Sequence, residues 1–153
     1  MAYTGVQRPT NKIIASGTPL VQELRVQTAS EVYPGRLVKA GTTVDEIVVN
    51  DASTNTTILG FVGFEQTNPN YRPSTISTIQ VVEDQVSVLN GGGFTILADC
   101  TGAYGAIAKG CPLTPVADGK VAAMTLAQMN VSVHVGYAED ASSNDKVLVR
   151  SVI

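Results

Sequence analysis

Charge is scarce in this chain. Ten Lys and Arg and thirteen Asp and Glu make up 15% of the 153 residues, against roughly 25% in an ordinary soluble domain. The net charge is −3 and the cations are scattered from Arg8 to Arg150, so no basic stripe exists that would displace counterions from nucleic acid. Nucleic acid is therefore not an expected partner. There is no tryptophan, aromatics are 5% and histidine occurs once, at His134. No run of eighteen apolar residues exists to form a membrane helix, and Met1 to Gly5 lacks the basic and apolar regions of a signal peptide. Neither a membrane nor a secretory route is expected, only synthesis in a cytoplasm. In that compartment Cys100 and Cys111, the only cysteines, read as small hydrophobes rather than a disulfide.

What the chain does contain is valine, isoleucine and threonine, side chains that suit a pleated surface. Residues 1–28 read as an N-terminal arm ending in a first short strand, Val21–Val26, and residues 29–153 as a single β-barrel-like domain. Tyr33-Pro34-Gly35 is a turn, because proline presets φ and glycine accepts a positive φ. Strands follow at Arg36–Lys39, Ile47–Val49 and Ile58–Phe64. Thr43 to Glu46 matches a capping box, but the β-branched Ile47-Val48-Val49 argues against a helix. Residues 66–77, with Asn68-Pro69 and Arg72-Pro73, read as a long exposed loop. Val86–Leu89 and Phe94–Ala98, joined by Gly91-Gly92-Gly93, read as a hairpin. Ala106–Ala108 is a short strand, Asp118-Gly119 a tight turn and Val121–Met129 the one plausible helix. The alternation of Val131, Val133 and Val135 predicts another strand, and Lys146–Arg150 the last. The expected class is all-β, a small barrel or sandwich with an extended N-terminal arm and at most one short helix.

Motifs that carry chemistry are nearly absent. A lone His134 needs a nucleophile and an orienting carboxylate to act as a base, and no Gly-x-Ser-x-Gly elbow is present. Gly91 to Gly93 precedes no helix that would offer its amides to a phosphate. Lys109 comes before Gly110, the wrong order for a phosphate-binding loop. Asp51 to Asn55 spaces oxygens as a calcium loop does, but Thr56 stands where the turn needs glycine and Val62 where a bidentate glutamate belongs. Asp45-Glu46, Glu83-Asp84 and Glu139-Asp140 are adjacent pairs, whose side chains diverge along a strand instead of flanking one bond. A zinc site would need more ligands than His134 and two cysteines supply. The chain is not expected to be an enzyme, and no cofactor or metal is expected.

Two echoes run through the sequence. Gly35-Arg36-Leu37-Val38 matches Gly110-Cys111-Pro112-Leu113, and Leu59-Gly60-Phe61-Val62 matches Val135-Gly136-Tyr137-Ala138, at offsets of 75 and 76 residues. One β unit used twice would explain both, with Gly60 and Gly136 as equivalent bends in two units of one barrel. In this setting the order of Pro34 to Val38, Gly41-Thr42-Thr43, Ile58 to Val62, Asp84 to Val88, Ile107 to Leu113, Asp118 to Val121, Val135 to Glu139 and Asp145 to Val149 resembles the small capsid decoration, or cement, proteins of tailed bacterial and archaeal viruses. The resemblance covers residues from about 30 to 153. It implies a β-tulip-like barrel on the outer surface of an assembled capsid, commonly trimeric, with the major capsid protein and its own copies as partners. The 64–80 loop is longer than in compact members. Residues 1 to about 20, with Tyr3, Val6, Arg8, Pro9 and Ile13 as contacts, would then anchor the protein to the shell or a neighbour. The other reading is an all-β binding module of a fibre or host-attachment structure. Sugar sites stack on exposed aromatics, and Tyr71, Tyr104 and Tyr137 are the few available.

Overall fold

The computed structural model describes residues 12–28, 31–65, 69–70 and 72–153. Among these the regular elements are eleven strands and one 3₁₀ turn, Ala117–Gly119. The strands are β1 (Ile14–Ser16), β2 (Leu20–Val26), β3 (Leu37–Ala40), β4 (Glu46–Val49), β5 (Ile58–Val62) and β6 (Gln85–Asn90), then β7 (Thr95–Asp99), β8 (Pro112–Pro115), β9 (Val121–Ala123), β10 (Gly136–Ala138) and β11 (Lys146–Ser151). The all-β expectation holds. Strands β2-β4-β3-β5-β6 close into a barrel, and the other six form a sheet in the order β1-β7-β11-β10-β8-β9.

The two sheets repeat one plan. Shifting every strand number by five turns β4-β3-β5-β6-β2 into β9-β8-β10-β11-β7, which is the second sheet without β1. The sequence echo is the seam of this repeat. Val38 pairs with Gly60 in the first unit, and Leu113 with Gly136 in the second. Gly35 and Gly110 have φ of 85° and 82°, and their amides donate to Val62 and Ala138 at 2.8 and 2.7 Å. Closure differs between the units. In the first, β2 runs parallel to β4 and seals the barrel; in the second, one parallel rung between Cys100 and Val121 draws the same edges together. Gly60 and Gly136 are thus equivalent, but they lie in two sheets rather than in one barrel. Both are needed for close approach: an added Cβ would sit 2.2 Å from the Leu89 carbonyl oxygen at Gly60 and 2.5 Å from that of Arg150 at Gly136.

Alternation along the strands decides how the units join, because adjacent residues face opposite sides. Val38, Val62 and Val88 fill the barrel with Leu24, Val26, Ile47 and Val86. Their neighbours Leu37, Phe61 and Leu89 face outward and share one cluster with Ile96, Leu113, Val147 and Val149 of the second sheet. Each such fully buried side chain contributes about 1.5–3 kcal/mol.

Several local expectations are corrected. Val86–Leu89 and Phe94–Ala98 are strands, but they do not form a hairpin. β6 pairs with β2 and β5, whereas β7 pairs with β1 and β11. Gly91, Gly92 and Gly93, all at positive φ, carry the chain from one sheet to the other. A glycine run permits either course, and only the packing partners choose. The helix expected over Val121–Met129 is instead β9 followed by a tight turn, since Val121 to Ala123 are buried and pair with β8; tertiary context overrides a weak propensity. Ala106–Ala108 is not a strand but a loop held between Gly105 and Gly110, both at positive φ. The strand expected at Val131–Val135 begins at Gly136, because Val131 closes a turn on Gln128 and Val133 bonds to Ser53 across the molecule. The turns at Pro34-Gly35 and Asp118-Gly119 form as expected, with Arg36 N donating to Tyr33 O at 3.1 Å and with Asp118 and Gly119 at φ of 59° and 67°.

Candidate functional site

Departures from the repeat mark what the fold alone does not require. One is the β5–β6 connection, residues 63–84, fifteen residues longer than its counterpart, 139–145. Another is the N-terminal segment with β1. The two meet. The Glu65 carboxylate, in the long connection, accepts from the amides of Ile13 and Ile14, the latter at 3.0 Å. Leu97 N donates to Ile13 O at 2.7 Å, and the Ile13 side chain is 1% exposed within this chain's own core. A recess of about 280 Å³ lies alongside, lined by Lys12, Ile14, Gly17, Thr18, Pro19 and Glu65. Gly17, at φ 79°, passes so close to the glycine crossover that an added Cβ would lie 2.7 Å from Gly93 O. Of the expected arm contacts, Ile13 is therefore the root. Tyr3, Val6, Arg8 and Pro9 lie outside the described residues.

A second concave feature, of about 310 Å³, is lined by Tyr33, Arg36, Ser77, Asp99, Lys120, Asp145 and Lys146. Three of its charges, Arg36, Asp99 and Lys146, answer one another. Arg36 donates to Asp99 Oδ2 at 2.7 Å and to Glu31 Oε2 at 2.6 Å, and Lys146 Nζ pairs with the other oxygen of Asp99. The guanidinium also stacks on Tyr33, 4.4 Å from the ring centre. Burial works against the Arg36 charge, but the hydrogen bonds to Asp99 and Glu31 outweigh it and raise its pKa above the ordinary arginine value. Glu31, Tyr33 and Arg36 belong to the first unit and Asp99 and Lys146 to the second, so the cluster clasps the units together. No sequence motif announces it. The one signal is a flaw in the echo, where Arg36 stands opposite Cys111.

The residues considered for chemistry are engaged elsewhere. His134 Nε2 lies 2.9 Å from Gly136 O, and its ring meets Tyr137 edge-on at 4.6 Å. Asp51 takes both a Lys39 ion pair and an Asn55 amide. Asp45 and Glu83 share Arg25, at 2.8 and 2.9 Å, and Glu139 faces Arg150. Cys100 and Cys111 are free thiols. Among the described residues no group of three His, Cys, Asp or Glu side chains is placed to hold a metal ion, and no helix is long and apolar enough to cross a membrane. Tyr104 and Tyr137 are each 37% exposed, with the Arg150 guanidinium over the Tyr137 ring; Tyr71 lies outside the described residues.

Comparison with known proteins matches this chain, over residues 5–150, to the family model described as XM1 gp53 minor capsid protein. No curated protein matches it.

Proposed function

The chain belongs to the XM1 gp53 minor capsid protein family, and from this membership we propose that it decorates the outer surface of an assembled capsid and stabilises the shell against internal pressure. As a member it is a structural phage protein associated with the capsid. The family match carries the reading. The resemblance in strand order and the low charge of the chain support its finer part. Packed DNA pushes shell subunits apart, and a protein bound across several of them adds interface energy that must be lost before rupture. Repetition over the lattice makes modest individual contacts sufficient. In this reading the protein acts without catalysis, as a trimer. Tyr3, Val6, Arg8 and Pro9 reach the shell or a neighbouring copy while Ile13 fixes the root of the arm.

The test is to add purified protein to shells that lack it. Co-sedimentation with the shells, together with a higher temperature of genome release, is the expected result. Shells that pellet without the protein would exclude decoration.

A further inference from the structure

Two charges that line the recess beside the Arg36 clasp have no partner. The Lys120 ammonium and the Asp145 carboxylate make no hydrogen bond or ion pair among the described residues, not even with each other. The hydroxyls of Tyr33 and Ser77, in the same lining, are equally unused. So is Arg36 Nη2, since the guanidinium spends Nε on Asp99 and Nη1 on Glu31 and the Asp118 carbonyl. The Arg36 side chain is only 10% exposed, so this idle donor is fixed in place.

The repeat supplies an internal control. The bonds from Val26 N to Asp84 O and from Gln27 N to Ile47 O in the first unit recur as Cys100 N to Asp145 O and Thr101 N to Val121 O in the second. Asp84 therefore stands where Asp145 does, and Glu46, just before Ile47, where Lys120 does. In the first unit both are engaged. Asp84 Oδ2 accepts from Val81 N at 2.9 Å, while Glu46 lies 4.0 Å from Arg25 and accepts from the Thr42 hydroxyl at 3.4 Å. The fold can thus satisfy the charges of this corner within the chain, and in the second unit it leaves them open on a recess. At about 310 Å³ the recess reaches the small end of ligand sites, roughly 300–1,000 Å³.

We propose that this recess binds a small hydroxycarboxylate, its carboxylate answered by Lys120 and Arg36 Nη2 and its hydroxyls by Tyr33, Ser77 and Asp145. The charges choose the ligand. Arg36 and Lys146 are balanced by Asp99 and Glu31, which leaves Lys120 as the spare cation, half-buried and short of the hydration that would otherwise answer it. One spare cation calls for a singly charged group, and a phosphate dianion would set its second charge against Asp145. The Asp145 carboxylate only accepts, so it needs donors, and hydroxyl groups beside the ligand's acid supply them. The assignment rests on the recess and not on shell binding.

Isothermal titration calorimetry of the full chain tests it, with glucuronate and the smaller lactate as ligands and with glucose, which lacks the carboxylate, and inorganic phosphate as comparisons. Saturable binding of at least one hydroxy acid at millimolar concentration is expected, with glucose and phosphate at least tenfold weaker. Lys120→Met should weaken binding at least tenfold and Tyr33→Phe, which removes only a hydroxyl, severalfold, while Lys120→Arg should keep most of it. Each variant should melt with the wild type; Lys120→Gln replaces Lys120→Met if that one does not. Failure of both hydroxy acids to bind would overturn the proposal. So would Lys120→Met binding like wild type, or phosphate or glucose binding as tightly as the acids. Binding as described, by a protein that fails to pellet with shells, would sink the decoration reading and leave this site standing.

Discussion

Arg36 and Asp99 stand sixty-three positions apart in the chain, yet Arg36 Nε donates to Asp99 Oδ2 at 2.7 Å in a largely buried ion pair that joins the first β unit to the second. Asp99 also neutralises Lys146, so one carboxylate serves two cations. Removing it takes an ion pair from each, although Arg36 keeps Glu31. Asp99→Ala should cost about 1.5–3 kcal/mol in denaturant unfolding, the usual loss for a hydrogen bond to a charged group. Replacing Arg36 and Asp99 together by Met and Leu should cost clearly less than the single change. A double variant as unstable as Asp99→Ala would show that the clasp is not a unit.

Gly60 and Gly136 should fail alike. At each, a methyl group would press on a carbonyl oxygen of the neighbouring strand, at 2.2 and 2.5 Å, so Gly60→Ala and Gly136→Ala should each lose about 2 kcal/mol or more. Gly93→Ala is the control. Gly93 has φ of 71° but nothing within 4 Å of an added Cβ, which leaves only the left-handed backbone cost of about 1–2 kcal/mol. Thermal melts of the three variants check the order.

Asp51 carries a pH dependence whose sign is fixed. Hydrogen bonds from Lys39 and then Asn55 lower its pKa in the folded protein, below an unfolded value of about 3.9. Its contribution is therefore present above that value and lost as the pH falls through the folded pKa. Asp51→Asn should melt below wild type at neutral pH, and the two curves should converge in strong acid. A constant gap from neutral pH to about pH 2 would contradict the assignment.

The N-terminal segment should divide at Ile13. Deleting residues 1–11 should leave the melting temperature nearly unchanged while weakening co-sedimentation with shells. Ile13→Ala should instead destabilise the fold by about 2–5 kcal/mol, as expected for truncating a fully buried isoleucine. Unchanged shell binding after the deletion would remove Tyr3, Val6, Arg8 and Pro9 from the contact surface.

Much of the local architecture was legible in the residues. Gly35, Gly110, Gly60 and Gly136 announce the repeat because close approach and positive φ exclude side chains, and such positions recur wherever the same strand pairing recurs. Asp118-Gly119 names its turn for the same reason. The errors share a different cause. Gly91 to Gly93 allows the chain to turn back or to cross over, and Val121 to Ala123 suits helix or strand, so in both places distant packing chose. The ion clasp and the recess beside it were missed because they depend on neighbours brought together by the fold.

By itself, then, the sequence settled that the chain is β-rich, that one unit occurs twice and where glycine turns and close approaches must fall, since these follow from side-chain size and backbone sterics within a few residues. Tertiary structure alone decided that the two units are a closed barrel and a sheet packed against it, that Arg36 meets Asp99 and that Lys120 and Asp145 line one recess. Those outcomes rest on which faces of distant strands bury one another, and burial belongs to the whole chain at once.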